Sequence, residues 1–450
     1  MFRVIVTRNG VKLGELTEND NFIVFAYSEN IKKENYIPSL GKPINTASRL
    51  FPVFENMLPE HEQLEILKAK HRIKNNIEIL LYLENIHGTF DFFSIDEYAN
   101  RETEPKKGIV WNDKLEEILR GDYKFPNILD YTLDIPSEKL YPKEFKNNKL
   151  TGLSGFQYKF SVTIDGINKI ISTRGSGESE YIMKPYNKGY STYKPKDKDS
   201  AYIPYLLINE HLFMSFAKDL GFKIPYNAII KDGYDYHYII KRYDRYRGHR
   251  IDHHEMLTLL EKHSSEKYKV SAAEVLEKAS EFLDSKETRE MFRFFIFSVI
   301  IAHGDFHAKN ISLIYKTNSP NETQKQLAPL YDISTVKIYK DVSGADIGMK
   351  IKNKNHKISQ DDLIWLGSKI SIGRDEVINF IDTLAAEFKN NFLNYVEVLP
   401  KEIKGLPIYQ DRYKHYKTFD VVLKKYFTQR VSYIDKYLID VNTKKENLWA

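Results

Sequence analysis

The sequence contains no cysteine among its 450 residues. This absence excludes disulfide bonds, cysteine-ligated zinc, iron–sulfur clusters and a thiol nucleophile. Any catalytic role must therefore fall to oxygen or nitrogen groups, or to a bound cofactor.

Long hydrophobic runs are missing as well. No stretch approaches the roughly 18 uninterrupted apolar residues of a membrane-spanning helix. The opening MFRVIVTRNGVKLGEL alternates like a strand and lacks the apolar segment of a secretory signal. We therefore expect a soluble, cytoplasmic protein that does not enter a membrane.

A strong charge of one sign is also absent, because 67 lysine and arginine residues nearly balance 62 aspartate and glutamate residues. The net charge of +5 is far from that of a polybasic chain. Nucleic acid is therefore not predicted as the main ligand, and single lysine-rich segments are weak indicators of a binding site.

The length and the order of the patterns predict several packed units. A chain of 450 residues exceeds the size at which one hydrophobic core stops growing. Strand-like patterns dominate the first half and helical patterns the second, which favours an α+β fold with a sheet-rich amino-terminal part and a helical carboxy-terminal lobe. The predicted units are 1–145, 146–245 and 246–450.

Local patterns place the individual elements. Asn9-Gly10 and Asp232-Gly233 indicate hairpin turns, and Ile208, Leu212 and Phe216 recur every four residues as in an amphipathic helix. Strands are expected at 2–7, 22–27, 156–164, 181–184, 225–230 and 236–243. Helices are expected within 60–86 and at about 254–262, 272–284, 291–302, 360–390 and 410–440.

The sharpest chemical signal is the segment His303-Gly-Asp-Phe-His-Ala-Lys-Asn310, which follows an apolar run. Asp305 and Asn310 have the D-x-x-x-x-N offset of the protein-kinase catalytic loop, where the aspartate accepts the substrate hydroxyl proton and the asparagine holds Mg²⁺. Leu-Ala-Pro-Leu-Tyr-Asp332 is an apolar strand that ends in a carboxylate, where a second Mg²⁺ ligand is needed. The combination indicates phosphoryl transfer.

Each of these pieces is weak on its own, because such short patterns recur by chance. His303 and His307 also have the H-x-x-x-H spacing of two zinc ligands. Gly304 between them and the lack of an H-E-x-x-H pattern argue against zinc, and phosphoryl transfer uses more of the residues.

A phosphate-binding side is indicated by two further features. The glycine-containing segment 151–159 opens a hairpin but matches neither common phosphate-loop pattern, so by itself it is more often a turn. Lys184 ends a strand and could contact phosphates, or it could be an ordinary exposed lysine. Glu210 lies two positions past Ile208, on a flank or an exposed face of its helix. It could pair with Lys184 or remain solvated.

The segment Arg242-Tyr-Asp-Arg245 ends the last strand before the helical half. This is the position at which a hinge between two lobes would meet an adenine ring. A tyrosine in such a place more often packs in the core.

In their order, these segments resemble the HipA family of bacterial toxin kinases. The matching stretches are SGFQYKFSV, YIMKP, NEHLFMSFAKDLGFKIP, YIIKRYDR, HGDFHAKNISLIY and LAPLYDIST. KLGELTENDNFIVFAYSENI and FPVFENMLPE resemble the amino-terminal subdomain of full-length members. The resemblance covers most of the chain.

The resemblance implies a two-lobed, protein-kinase-like fold and a role for each matching residue. Asp305 would be the catalytic base, Asn310 and Asp332 the Mg²⁺ ligands, Lys184 the phosphate-contacting lysine, and His307 part of the nucleotide pocket. The loop over the phosphates would consist of Phe156, Gln157, Tyr158, Lys159, Phe160 and Ser161. The adenine-side hinge would consist of Lys241, Arg242 and Tyr243.

Ser154 matches the serine that family members autophosphorylate to expel this loop and switch the kinase off. A phosphate there adds nearly two negative charges, which would repel ATP. The sequence departs from the family at Lys241, where an acidic residue is common, and at Phe156 and Tyr158, where smaller or polar residues are common. These departures concern the adenine side more than the metal centre.

As a family member, the chain would use ATP and Mg²⁺ to phosphorylate serine or threonine of a protein, typically an aminoacyl-tRNA synthetase, and would arrest growth. Its partner would be a HipB-like helix-turn-helix antitoxin, with DNA bound only through that partner. One alternative is a catalytically inactive pseudokinase that serves as a co-repressor module, against which the intact Asp305, Asn310 and Asp332 argue. Another is a small-molecule or lipid kinase, which the amino-terminal subdomain disfavours.

Overall fold

The structure is a computed structural model of the 450-residue chain. It describes residues 2–19, 22–59, 61–83, 86–101, 109, 111–141, 157–173, 179–194, 202–315, 325–340, 344–409 and 415–439.

The first sheet is formed by antiparallel strands in the order β4-β3-β2-β1-β5. Their bounds are β1 Phe2–Arg8, β2 Val11–Glu18, β3 Ile23–Tyr27, β4 Ile44–Ala47 and β5 Phe90–Phe93. Asn9 and Gly10 join β1 to β2 with φ angles of 51° and 76°. Two residues with positive φ fit the twist of a tight hairpin, so the predicted Asn-Gly turn is confirmed.

Short helices cover this sheet and bury an aromatic core. They are α1 Pro52–Glu55, α2 His61–His71, the 3₁₀ turn Glu78–Tyr82 and α3 Ile95–Ala99. Phe54 of α1 lies with its ring centroid 5.5 Å from that of Phe25 and 6.1 Å from that of Phe90, and all three side chains are buried. The helical structure predicted within 60–86 is present as α2 and the 3₁₀ turn, and this turn packs against β1 and β5.

A second sheet begins before residue 145 and extends to residue 241. Its strands are β6 Ile128–Leu129, β7 Thr132–Asp134, β8 Phe160–Asp165, β9 Ile170–Ser172, β10 Tyr181–Lys184, β11 Asn227–Asp232 and β12 Asp235–Lys241. The helices along the same stretch are α4 Asp113–Arg120, α5 Ser137–Leu140, α6 Lys188–Ser191 and α7 Leu206–Asp219. The strand order is β6-β11-β12-β10-β8-β9-β7.

β6 and β7 precede residue 145 yet join this sheet. β6 pairs in parallel with β11, and β7 pairs in parallel with β9. The chain before residue 145 is therefore shared between two sheets, and the unit limits at 145 and 245 stay predictions.

Helix α7 confirms the predicted amphipathic helix, but every residue from Leu207 to Ala217 is buried rather than one stripe. The helix packs on β11 and β12 with one side and on α12, Arg374–Val398, with another. The expectation that Glu210 lies on a flank or an exposed face is wrong, because α7 is enclosed on both sides.

The second half of the described chain is mainly helical. Its helices are α8 Met256–Leu259, α9 Ala272–Ser280, α10 Ser285–Ile301, α11 Gln360–Ser368, α12 as given above, α13 Lys401–Lys404 and α14 Phe419–Tyr433. Short strands accompany them: β13 Arg245–Tyr246, β14 His249–Arg250, β15 His253–Glu255, β16 Ser312–Tyr315, β17 Lys325–Leu327, β18 Pro407–Tyr409 and β19 Tyr416–Thr418. No described helix meets the length and apolarity needed to cross a bilayer.

Three of the predicted helices differ from the structure. The helix at 254–262 is only α8, because the preceding residues pair as β15 with β16. The helix at 360–390 is split into α11 and α12, where Ser371 adopts a φ of 60°. The helix at 410–440 is preceded by β19, and 410–414 lie outside the described residues.

The first sheet is joined to the second half of the chain by a buried ion pair. The Arg8 guanidinium of β1 contacts the Asp252 carboxylate, with Nε 2.7 Å from Oδ2, and both side chains are buried. Burial opposes ionisation of Asp252, but Arg8 keeps the pKa of this carboxyl below its usual range. Each charge therefore depends on the other for its stability inside the protein.

Replacing Arg8 by alanine is expected to lower the free energy of unfolding by about 3 kcal/mol, since it leaves the Asp252 carboxylate buried without this partner. Arg3, on the same strand but exposed, provides the matched alanine control, with an expected change within about 0.5 kcal/mol. Urea unfolding followed by tyrosine and tryptophan fluorescence measures both variants. Equal stability of the two would contradict the role given to the ion pair.

Three buried histidines are expected to make stability depend on pH. Burial lowers the pKa of His211 to about 4, and that of His254 and of His303 to about 3. An unfolded chain binds protons at these rings below about pH 6.5, whereas the folded chain keeps them neutral. The free energy of unfolding should therefore fall by about 1 kcal/mol per histidine between about pH 7.5 and pH 5.5.

Urea titrations at several pH values test this expectation. These three groups predict little change between about pH 8.5 and 7.5, where the histidines are neutral in both states. Glu210 opposes part of this fall, because burial raises its pKa to about 7. A free energy of unfolding that rises from pH 7.5 to 5.5 would contradict the neutral burial of the rings.

Candidate active site

The predicted catalytic segment lies at the end of helix α10, whose last two turns are completely buried. Ala302 ends the helix with a φ of 55°, and the chain then turns sharply. Gly304 lies so close to Val336 that an added Cβ would come within 2.5 Å of Cγ2. The carboxamide Oδ1 of Asn310 accepts a hydrogen bond from the His307 backbone N–H at 3.0 Å. The loop is therefore fixed by the close packing of Gly304 against Val336 and by the hydrogen bond between Asn310 and His307.

Asp305 lies in a cleft of about 490 Å³ that is partly open to solvent. Its Oδ1 accepts a hydrogen bond from the Tyr268 hydroxyl at 2.7 Å. The cleft also contains Asp332, Lys184 and Glu210. Its remaining lining residues are Gln157, Lys159, Leu206, Ser334, Thr335, Val336 and Tyr339.

Lys184 connects the sheet, helix α7 and the segment that carries Asp332. Its Nζ lies 2.8 and 2.9 Å from the two carboxylate oxygens of Glu210 and also contacts Asp332 Oδ1. The Lys184 side chain is only 7% exposed and that of Glu210 only 3%. The alternatives of an exposed lysine and a solvated glutamate are therefore wrong, and the pairing of the two residues is found.

Lys184, Glu210 and Asp332 form a charged triad, and the charge of each member affects the protonation of the others. Burial alone disfavours the Lys184 ammonium, but Asp332 and Glu210 raise the pKa of Lys184 above its usual value. Burial also opposes ionisation of Asp332, and the ammonium groups of Lys184 and Lys159 outweigh it, so the pKa of Asp332 lies well below its usual range. Burial raises the pKa of Glu210 to about 7, because Lys184 offsets only part of it.

Asp332 has two properties expected of a functional carboxylate. Its φ is 56°, a left-handed conformation that is uncommon outside glycine, although aspartate and asparagine adopt it more often than other residues. Its side chain is 30% exposed, so one face remains open to the cleft. A cation, the Lys184 ammonium, already lies against it.

These donors suit magnesium better than zinc. Within the described ranges, no three histidine, aspartate or glutamate side chains come together as a metal-binding set. The Asp332 carboxylate in the cleft is a hard oxygen donor, of the type that Mg²⁺ accepts when phosphates and water complete its shell. Burial keeps His303 neutral, and its ring stacks on that of Phe306 with centroids 5.3 Å apart, as a core residue does.

The predicted phosphate loop is only partly described. Ser154 and Phe156 lie outside the described residues. Gln157 and Lys159 line the cleft, and Tyr158 lines a neighbouring pocket. Phe160 and Ser161 belong to strand β8 and pair with β10, so they are part of the sheet and not of a loop.

The predicted hinge residues are held by the protein itself. The Arg242 guanidinium binds Asp244 and the Ile86 carbonyl, and its backbone N–H donates to the Glu180 carbonyl. Lys241 Nζ lies 3.7 Å from the Glu180 carboxylate. The Arg242 side chain and backbone N–H are therefore engaged within the protein, and an adenine contact would fall to its backbone carbonyl.

Tyr243 stacks on Tyr331 with ring centroids 5.8 Å apart. The Tyr331 hydroxyl donates to the Lys309 carbonyl at 2.7 Å, so the residue before Asp332 connects the hinge to the catalytic loop. Lys309 Nζ also lies 3.2 Å from the Asn56 carbonyl of the amino-terminal subdomain. In the sequence, only its position next to Asp332 marks Tyr331 as part of the site.

His307 is buried, and its ring packs edge-on against Tyr268 with centroids 5.3 Å apart. In the described chain, neither His307 nor Asn310 is among the residues that line the cleft, although both follow Asp305 in the same loop. Tyr268, which reaches Asp305, is 37 positions away in sequence, and no local pattern marks it.

Two family models match the chain. The family model described as the HipA-like C-terminal domain matches residues 151–392, more than half of the chain, and the HipA N-terminal domain matches residues 4–86. A protein of Haemophilus influenzae, provisionally named a kinase, is 23% identical over 310 residues, covering 61% of this chain and 79% of that protein. Y4mE of Sinorhizobium fredii, also provisionally named a kinase, is 25% identical over 404 residues, covering 84% of this chain and 89% of the relative.

The fold is shared with a solved structure. HipA of Shewanella oneidensis, determined in a complex with HipB and operator DNA, superposes with a TM-score of 0.68 at 17% identity, covering 96% of this chain and 97% of that chain. The likeness confirms the predicted two-lobed α+β fold of the kinase-like type.

Proposed function

The chain belongs to the HipA family, and on this basis we propose that it is an ATP- and Mg²⁺-dependent kinase that phosphorylates serine or threonine in a protein. The observation that carries the proposal is the single cleft that contains Asp305, Asp332 and Lys184. A base, a hard oxygen ligand and a buried cation are the parts that phosphoryl transfer needs. The kinase names of two relatives support the same class of activity.

In this proposal each residue has one task. Asp305 accepts the proton of the attacking hydroxyl, and Lys184, fixed by Glu210, contacts the phosphates. Asn310 and Asp332 would hold Mg²⁺, which when bound neutralises charge on the phosphates. Lys159 adds a further positive charge on the phosphate side of the cleft.

The nucleotide would lie between the predicted loop and the hinge. Gln157, Tyr158 and Lys159 would cover the phosphates. The strand residues Phe160 and Ser161 would support this loop from the sheet. Lys241, Arg242 and Tyr243 would border the adenine, with Arg242 contributing its carbonyl. His307 would form part of the nucleotide pocket, with its ring held by packing against Tyr268.

Regulation would follow the family pattern. Ser154 would be autophosphorylated, and its two added negative charges would repel the nucleotide phosphates and switch the kinase off.

The biological partners are proposed from the family as well. A HipB-like helix-turn-helix antitoxin would bind the chain in the cytoplasm and connect it to DNA, as supported by the relative that was solved with HipB and operator DNA. The substrate would be an aminoacyl-tRNA synthetase, whose phosphorylation inhibits translation and growth. The proposed units remain 1–145, 146–245 and 246–450.

Calorimetric titration of the purified chain with ATP tests the nucleotide site. We expect saturable binding in the presence of Mg²⁺ and weaker binding when Mg²⁺ is removed with a chelator, since Asp332 then faces the phosphates without the metal. Absence of ATP binding under both conditions would contradict the proposed function.

A further inference from the structure

Tyr268 contacts the proposed catalytic base directly. Its hydroxyl donates to Asp305 Oδ1 at 2.7 Å, and its ring packs edge-on against His307. The residue lies between the 3₁₀ turn Ser264–Glu266 and helix α9, and 37% of it is exposed to solvent. The reactions assigned above do not use this side chain.

The Tyr268 hydroxyl lies at the distance from Asp305 that the acceptor hydroxyl of a substrate must reach. A general base must lie within about 2.6–3.2 Å of the hydroxyl whose proton it takes. The Tyr268 hydroxyl meets this condition, so it occupies a position at which an acceptor hydroxyl, or a water molecule, could be activated.

The exposure of the contact decides between two roles for Tyr268. A side chain that orients a catalytic carboxylate is usually buried and supported by further packing. The Tyr268 hydrogen bond forms at the solvent-exposed side of the cleft. Its net strength is about that of one hydrogen bond, which favours Tyr268 over a water molecule at Asp305 but not over a bound protein acceptor. Such a bond can be displaced by an incoming hydroxyl.

We propose that Tyr268 is a displaceable placeholder, which keeps water away from Asp305 until the acceptor hydroxyl of a protein substrate replaces it. The proposal rests on the proposed function. In the suppressed side reaction, the water oxygen forms a bond to the γ-phosphorus and the bond to the β,γ-bridging oxygen breaks. The water proton passes to Asp305, and ADP and inorganic phosphate are released.

The first test is phosphate release from Mg²⁺-ATP without any protein acceptor. Tyr268→Phe keeps the ring that packs on His307 and removes only the hydroxyl. We expect about 3- to 10-fold faster hydrolysis, the factor that corresponds to one net hydrogen bond. The double variant Tyr268→Phe/Asp305→Asn should fall to the rate of Asp305→Asn alone. Unchanged or slower hydrolysis in Tyr268→Phe would overturn the placeholder role.

The second test uses casein as a general acceptor that is rich in serine. Tyr268→Phe should lower the KM for casein by a similar factor and leave kcat within about twofold, because the acceptor no longer displaces a hydroxyl. A lower kcat at unchanged KM would instead identify Tyr268 as an orienting residue and overturn the proposal. Phosphate on Tyr268 itself, found by mass spectrometry, would also overturn it.

Tyr234→Phe is the matched control, since Tyr234 is 97% exposed at the turn between β11 and β12. It should behave as the wild type in both tests. If the wild type transfers phosphate but Tyr268→Phe shows neither change, only the placeholder role fails. If the wild type and Tyr234→Phe bind ATP but neither they nor Tyr268→Phe hydrolyse it or transfer its phosphate, the proposed function fails. The placeholder role then fails with it.

Discussion

Replacing Asp305 by asparagine is expected to lower the rate of phosphate transfer by about 10²- to 10⁴-fold, the usual contribution of a positioned general base. Asparagine keeps the shape of the side chain, and its carbonyl oxygen can still accept the Tyr268 hydrogen bond. It cannot take the proton of an attacking hydroxyl. The loss should therefore appear in kcat, while the affinity for ATP stays nearly constant.

The control for this variant is Asp361→Asn. Asp361 lies on α11, its side chain is 80% exposed, and it is not among the residues that line the described cleft. Transfer rates from γ-labelled ATP to casein, measured beside calorimetric affinities for ATP, separate the two effects. An Asp305→Asn variant as fast as the wild type would show that Asp305 is not the base.

Replacing Asp332 by asparagine is expected to lower phosphate transfer by about 10³-fold, because a metal ligand supplies several kcal/mol of charge stabilisation in the transition state. The dependence of ATP affinity on Mg²⁺ should weaken in the same variant. The fold should persist, since Lys184 keeps its second carboxylate partner, Glu210. Transfer rates and calorimetry over a range of Mg²⁺ concentrations measure both effects.

Glu210→Gln is the comparison for this variant, because it changes the other partner of Lys184 and leaves the proposed metal ligand intact. Its loss should be about tenfold, corresponding to one weakened charge-assisted hydrogen bond. A larger loss of the transfer rate in Glu210→Gln than in Asp332→Asn would contradict this account. It would show that the triad acts mainly by positioning Lys184 and not by binding metal.

Short-range patterns predicted those parts of the site that lie within one segment. The offset between Asp305 and Asn310 and the apolar run before Asp332 are local features, and they could be read without knowing the fold. The strand predicted to end at Asp332 is shorter, because β17 ends at Leu327. The Asn-Gly hairpin and the four-residue spacing in α7 are local in the same sense. The metal-binding and catalytic roles built on them stay predictions.

Other features depend on tertiary packing and had no local signal. Glu210 is buried because it faces Lys184 of β10 inside the cleft, and periodicity alone cannot show what packs on a helix. Tyr268 reaches Asp305 across 37 positions, and Arg8 reaches Asp252 across 244. Phe160 and Ser161 lie in β8, as the strand pattern over 156–164 predicts, and only the loop that the family resemblance implies is shorter than expected.

The central claim, that this HipA-family chain is an active kinase, is tested most directly by autophosphorylation. The purified chain is incubated with Mg²⁺ and γ-labelled ATP beside Asp305→Asn and Ser154→Ala, and the labelled sites are mapped by mass spectrometry. We predict phosphate on Ser154 in the wild type and none at that position in either variant. A wild type that neither binds ATP nor acquires label would contradict the claim and favour a pseudokinase.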